Sequence, residues 1–169
     1  DAIETAECWA LAPQSPTTPT VLALTRQGVP PVRLEHVEEN LCGRGAYEIA
    51  AASGPARATI LATGSEVAIA LAARETLEAE GVPVRVASVP CHELFDRQDR
   101  EYRDTVLGLD TVRVAVEAAG TLGWERYVGE RGSIVGLTEF GASAPADTLY
   151  EHFGITANAV AEAVRKHLL

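Results

Sequence analysis

The sequence predicts an α/β protein: an open, mostly parallel sheet covered by helices on both faces, in three α/β/α layers. Two features predict this fold. Short apolar runs rich in β-branched residues recur along the chain, and segments with the spacing of amphipathic helices lie between them. Strands that alternate with helices are typical of parallel sheets buried on both faces. With 169 residues, 47% of them hydrophobic, we expect one main domain plus an appendage.

The appendage is predicted at the N-terminal end. A helix is predicted over residues 4–11, a Pro-, Ser- and Thr-rich turn follows it, and the apolar run of residues 20–24 is predicted to be a buried strand. Glycines, prolines and glutamates without sustained periodicity come next, as in linkers that cross between domains. We place a domain boundary near Gly54 and Pro55.

The main domain occupies the rest of the chain. Residues 58–64 are predicted to form an apolar strand that runs into a helix, with Ser65 as its N-cap and Gly81 just after its C-cap. A final amphipathic helix from Thr156 is predicted to dock on the sheet. Further strands are predicted over residues 82–89, 112–116 and 133–137.

Charge and cysteine content narrow the classes of partner. The formal charge of −10 repels phosphate backbones and anionic lipid, which argues against nucleic acid and membrane surfaces as partners. No apolar run approaches the roughly 20 residues of a membrane span. Cys8, Cys42 and Cys91 are odd in number and lack metal-ligand spacing, which favours reduced thiols in a soluble cytoplasmic protein. The chain has no Met and starts within a predicted helix, so we expect a piece of a longer protein.

The turn Thr63-Gly64-Ser65-Glu66 is the first candidate site. Free N–H groups at the start of a helix can hold an anion. This turn lacks both glycine-rich phosphate-binding motifs, however, and Glu66 would repel a phosphate. A structural helix start is the favoured interpretation.

Arg26 is the second candidate, because it follows the predicted strand of residues 20–24. The carboxyl ends of strands in α/β sheets collect ligands, and a guanidinium fork matches phosphate oxygens. An arginine in this position is nevertheless more often a surface or salt-bridge residue.

Other polar segments are predicted to be structural. The four histidines, at positions 36, 92, 152 and 167, have no metal-ligand spacing and no nucleophile beside them. The alternating charges of residues 96–103 are typical of a solvated helix face with local ion pairs. The sequence of residues 140–145 predicts a tight turn at its glycine, followed by a helix with Ser143 as its N-cap and Pro145 in its first turn.

Two blocks of this sequence resemble the C-terminal third of transketolases. They are the Leu-Phe-x-x-Gln-x-x-x-Tyr-Arg pattern of residues 94–103 and the Phe-Gly-Ala-Ser-Ala-Pro pattern of residues 140–145, which are more like transketolase than like related thiamine-dependent enzymes. Other segments fit in order and extend the resemblance over essentially the whole chain: residues 2–7 with Trp9, 24–30, 60–67, 116–118, 123–129 and 140–154.

The resemblance implies a division of the chain and a role for one residue. Residues 1–34 would be the tail of the pyrimidine-binding middle domain, 35–55 a linker and 56–169 the transketolase C-terminal domain. Arg26 would grip the phosphate of the sugar substrate, whereas Gln27 matches the same motif and is assigned no chemistry. No residue of this chain is expected to be catalytic or to bind cofactor or metal.

The resemblance also implies the activity and partners of the parent protein. A transketolase transfers a two-carbon ketol unit between sugar phosphates in the pentose phosphate pathway, with thiamine diphosphate and a divalent ion, Mg²⁺ or Ca²⁺, held upstream. This chain would pair with those upstream domains and with a second subunit in a homodimer. Alone, it is expected to be inactive.

Two interpretations from other classes stay open. The first is a free-standing assembly or regulatory module that dimerises through its α/β domain. The second is a nucleotide-binding domain built on the turn of residues 63–66.

Overall fold

A five-stranded sheet forms the centre of the computed structural model, which describes all 169 residues. Its spatial order is β1-β3-β2-β4-β5; β1 is antiparallel to β3 and the other neighbours are parallel. The predicted mostly parallel α/β sheet is confirmed. The strands are β1 Tyr47–Ala50, β2 Ala58–Ala62, β3 Val84–Ser88, β4 Val112–Gly120 and β5 Ser133–Leu137.

Seven α-helices accompany the sheet. They are α1 Ala2–Leu11, α2 Glu66–Ala79, α3 His92–Asp96, α4 Arg100–Leu107, α5 Glu125–Val128, α6 Ala146–Phe153 and α7 Ala157–Leu168. None combines the length and the apolar composition that a membrane-spanning helix needs.

Helices cover both faces of the sheet because successive strand residues point to opposite sides. On one face, Ile60 of β2 and its same-side neighbours pack against α2 and α7. On the other face, Leu61 packs with Phe95, Trp124 and residues of α4 and α5. All five residues of β2 are buried, as expected for the central strand of a sheet covered twice. The three-layer prediction is therefore confirmed.

The ends of α2 test the predicted caps. At its C-terminus, the N–H of Val82 donates to the Leu77 carbonyl (2.9 Å) and that of Gly81 to the Glu78 carbonyl (3.0 Å), with Gly81 at φ +79°. This is a Schellman motif, and the predicted role of Gly81 is confirmed. The predicted Ser65 cap is wrong: its backbone is helical (φ −62°, ψ −25°) rather than extended, and its side chain accepts no bond from the helix N–H groups.

Of the two elements predicted in the N-terminal segment, the helix forms and the strand does not. The predicted first helix is confirmed as α1, which Asp1 caps by accepting from the N–H groups of Ile3 and Glu4. The predicted buried strand of residues 20–24 is wrong, since this stretch has no strand pairing and Val21 is 89% exposed. A strand needs a neighbour to satisfy its backbone groups, and no strand of this chain lies beside it.

The stretch predicted to be a linker, residues 35–55, is partly ordered into secondary structure. It contains a short 3-10 helix, Leu41–Arg44, and the edge strand β1. β1 is held by antiparallel pairing with β3, and Tyr47 at its start is buried. The exact division of the chain into domains stays a prediction.

The C-terminal elements follow the predicted order. The strand of residues 133–137 is confirmed as β5, and the last helix is confirmed as α7, capped by Thr156 Oγ1, which accepts from the N–H of Ala159 (3.2 Å). The cap predicted for Ser143 is wrong. Helix α6 starts at Ala146 with Pro145 in the N-cap position and no side-chain cap.

Candidate functional site

The strand order of this sheet reverses at the carboxyl ends of β2 and β4. The chain passes from β2 to β3 on one side and then crosses to β4 on the other side of β2. In open α/β sheets, ligands bind in the crevice where the strand order reverses in this way. The side chains that meet here form the carboxyl-edge site: Gln27, Ser65, Glu66, Glu117, Trp124 and Tyr150.

Glu66 is at the centre of this site. It is the first residue of α2 and is only 4% exposed. One of its carboxylate oxygens, Oε1, accepts hydrogen bonds from the Tyr150 hydroxyl (2.6 Å) and the Ser65 hydroxyl (2.7 Å). The positive end of the α2 dipole also favours a negative charge at this position. A carboxylate therefore occupies the helix start that would otherwise receive an anion.

Glu117 supplies a second carboxyl group from the adjacent strand β4. The indole N–H of Trp124 donates to its Oε2 (3.3 Å). Burial, and then the nearby charge of Glu66, raise the pKa of Glu117 to about 7. The site therefore gains a negative charge as the pH rises through neutrality.

The N-terminal segment reaches this site through Gln27. Its side-chain amide donates to the Tyr150 hydroxyl (3.2 Å), which in turn donates to Glu66. This chain of hydrogen bonds connects the Arg26 segment, α6 and the start of α2, although Gln27 and Tyr150 are 123 residues apart in the sequence.

Arg26 itself lies next to Gln27 in the chain, with its side chain free. It is exposed and takes part in none of the ion pairs of the chain. An unpaired guanidinium keeps all five of its N–H donors available to a ligand. The structure thus brings the segment of the predicted substrate residue to the carboxyl ends of the strands, although the strand predicted to precede it does not form.

A second polar cluster fixes the N-terminal segment to the sheet. Buried Glu4 of α1 accepts hydrogen bonds from the Tyr47 hydroxyl (2.7 Å) and the Ser88 hydroxyl (2.6 Å). Arg33 forms a buried ion pair with Glu7 (2.7 Å). Because an unpaired buried charge is costly, these bonds make the docking of α1 specific.

The remaining candidate residues lie in structural surroundings. The His92 ring makes edge contacts with those of Trp124 (4.7 Å between centroids) and Tyr127, and the His152 ring makes an edge contact with that of Phe153. Within the charge run, Asp99 caps α4, and Asp96 pairs with Arg126 of α5. The chain contains no cluster of three or more potential metal-ligating side chains.

Comparison with known proteins identifies the family of this chain. The model of the family described as "Transketolase-like TK C-terminal domain" matches residues 45–156. The chain belongs to the transketolase family. The resemblance of residues 94–103 and 140–145 is thereby confirmed.

Individual transketolases match nearly the whole chain. The transketolase of Sinorhizobium medicae is 55% identical over 166 residues, which are 97% of this chain and 24% of that protein. The structure of the Pichia stipitis transketolase in complex with sedoheptulose-7-phosphate matches with a TM-score of 0.89 and 35% identity, over 99% of this chain and 24% of that one. A structure described as a split-gene transketolase, an inactive β4 tetramer, matches with a TM-score of 0.66 and 27% identity, over 85% of this chain and 48% of that one.

This chain covers only part of the length of the transketolases that it matches. It spans about a quarter of the length of the curated transketolases that it matches. Its carboxyl-edge site does not fit the diphosphate of thiamine diphosphate, because the carboxylate of Glu66 fills the helix start.

Sequence reasoning missed three residues of the carboxyl-edge site: Glu117, Trp124 and Tyr150. Trp124 and Tyr150 lie in segments that resemble transketolases and carry no individual prediction, whereas Glu66 belongs to the predicted turn of residues 63–66. Only Glu117 could have been noticed in the sequence, because it is the single carboxylate in the otherwise apolar strand segment 114–119. A lone acid in a buried strand is uncommon and indicates a partner or a shifted pKa.

Proposed function

We propose that this chain is the C-terminal part of a transketolase that transfers a two-carbon ketol unit between sugar phosphates in the pentose phosphate pathway. The observation that carries the proposal is the match of nearly the whole chain to transketolases, such as that of Sinorhizobium medicae at 55% identity. Upstream domains would hold thiamine diphosphate, which stabilises the carbanion, together with its divalent ion. The enzyme would be cytoplasmic and homodimeric.

A chimera tests this proposal directly. This chain would replace the 166 matching residues of the Sinorhizobium medicae transketolase. We expect the chimera to catalyse ketol transfer and the 169-residue chain alone to be inactive. A chimera that folds and dimerises but has no activity would contradict the proposal, as would activity of the isolated chain.

Arg26 is proposed to bind the phosphate of the sugar. Support comes from its exposed, unpaired guanidinium and from the Gln27–Tyr150–Glu66 hydrogen bonds beside it. Held far from the reacting carbonyl, it would orient the substrate rather than take part in the chemistry.

The Arg26→Ala variant of the chimera tests this role. A charge-assisted contact is worth about 1.5–3 kcal/mol, so we expect KM for phosphorylated sugars to rise roughly 10- to 100-fold. KM for an unphosphorylated acceptor should stay nearly constant. Arg57→Ala, which removes another arginine of the chain, is the matched control. Equal effects of Arg26→Ala on both kinds of substrate would refute the assignment.

The sheet domain is proposed to serve structure and dimerisation. Large apolar side chains lie exposed on this domain, including Leu109, Leu122 and Phe140. Exposed apolar surface of this kind is characteristic of contacts with other domains or subunits. Sedimentation of the chimera and of its Phe140→Ser variant would test the contribution of Phe140: the proposal predicts weaker dimerisation, and an unchanged dissociation constant would exclude Phe140 from the interface.

A further inference from the structure

Cys8 and Cys42 are brought together where α1 packs on the 3-10 helix Leu41–Arg44. Two contacts seat Cys42 against α1: its backbone N–H donates to Glu7 Oε2 (3.1 Å), and its thiol donates to the Glu4 carbonyl oxygen (3.8 Å). Cys8 follows Glu7 and lies one helical turn after Glu4, on the side that Cys42 contacts. Because the Cys42 thiol reaches the Glu4 carbonyl, one turn before Cys8, both thiols lie at the same contact, and their interaction shifts both pKa values.

The surroundings make the two sulfur atoms chemically different. Cys42 is completely buried, and Cys8 is partly accessible. Interaction with the Cys42 thiol lowers the pKa of Cys8, and the same interaction together with burial raises the pKa of Cys42. Burial also raises the pKa of Cys91. Of these two neighbouring thiols, Cys8 is therefore the one that a reagent can reach and that ionises more readily.

We propose that Cys8 and Cys42 form an oxidisable dithiol site that reacts with hydroperoxides to give an intramolecular disulfide. The Cys8 thiolate attacks the peroxide, the O–O bond breaks, and a sulfenic acid and hydroxide form in the case of hydrogen peroxide. The Cys42 sulfur then attacks the Cys8 sulfur, the S–O bond breaks, and the hydroxyl group leaves with the Cys42 proton as water. Two electrons pass from the two thiols to the peroxide.

The disulfide would close a loop that contains the Arg26 segment. Residues 9–41 lie between the two cysteines, and both ends of this loop would be joined covalently at the contact between α1 and the 3-10 helix. Such a bond restricts the unfolded chain and resists separation of α1 from the sheet domain. Oxidation would therefore strengthen the attachment of the segment that carries Arg26.

Mass spectrometry of the complete, reduced chain tests this proposal. After one equivalent of hydrogen peroxide and alkylation of the remaining thiols, we expect a product with one alkylated cysteine, Cys91, and a Cys8–Cys42 peptide lighter by about 2 Da, since two hydrogens are lost. Before oxidation, brief alkylation should modify Cys8 roughly tenfold faster than Cys91.

Matched variants keep the test decisive. Cys91→Ser should form the same disulfide, whereas Cys8→Ser should form none; Cys8→Ala replaces the latter if the serine disturbs folding. A Cys8 sulfinic acid beside an intact Cys42 thiol would overturn the proposal. So would a disulfide that contains Cys91, or a Cys8 thiol that peroxide does not oxidise.

Discussion

Replacing Glu117 by glutamine removes the carboxyl group whose pKa burial and Glu66 raise from 4.5 to about 7. The folded state binds this proton more tightly than the unfolded state, so folding stability falls as the pH rises from 4.5 through 7. The full shift corresponds to about 3 kcal/mol, and because Glu117 is only partly buried we expect about 1.5–3 kcal/mol. The glutamine amide would still accept the Trp124 hydrogen bond and would carry no charge. The Glu117→Gln variant should therefore match the wild type near pH 4.5 and exceed its stability by this amount at about pH 8.

Urea unfolding of both proteins at several pH values measures the difference. Glu75→Gln on the exposed side of α2 is the control, because it removes one carboxyl group that takes part in no ion pair. The difference between Glu117→Gln and the wild type isolates one group, since all other titrations occur in both proteins. A difference that stays constant between about pH 4.5 and pH 8, or that favours the wild type at the upper end, would refute the reasoning.

Three further predictions concern packing and the carboxyl-edge site. Gly45→Ala should reduce stability by more than about 2 kcal/mol in thermal unfolding, because Gly45 has φ +81° and a Cβ there would overlap the backbone at Phe95. Gly28→Ala is the control: Gly28 has open space around it, so equal losses of stability in the two variants would contradict this reasoning. Phe95→Ala should cost about 3–5 kcal/mol, since the side chain is completely buried, and a loss below about 1 kcal/mol in urea unfolding would disprove its core role. Tyr150→Phe should reduce the free energy of unfolding by about 1 kcal/mol and increase proteolysis near the Arg26 segment, because the hydrogen bonds of the hydroxyl to Gln27 and Glu66 are lost. Unchanged cleavage there would contradict the idea that Tyr150 holds this segment on the sheet.

The strands and helices of the main domain could be predicted because their signals are local. The apolar run of β2 and the glycine after α2 carry the information for a buried strand and a helix end within a few residues. The stretch of residues 20–24 has the same apolar character, but strand formation depends on a neighbour, which a local pattern does not report. Serine is a good N-cap residue, yet the backbone of Ser65 is already helical, so its side chain does not cap α2.

The candidate site was less predictable because it depends on contacts between distant segments. Arg26 could be singled out by its position and by the resemblance to transketolases. The hydrogen bonds of Gln27 and Glu66 to Tyr150 span 123 and 84 residues, and neither spacing leaves a pattern in the sequence. The shifted pKa of Glu117 arises from burial and from Glu66, so it becomes visible only once β2 and β4 are paired.

The subunit mass of the protein that carries this sequence in its source cells tests the central claim most directly. An antibody raised against the chain would identify the subunit, and ketol transfer would be assayed in the same purified fraction. We predict a subunit about four times as long as this chain, as its 24% coverage of the Sinorhizobium medicae transketolase implies, copurifying with thiamine-dependent ketol transfer. A native subunit of 17.9 kDa without that activity would contradict the proposal and would favour a free-standing assembly module.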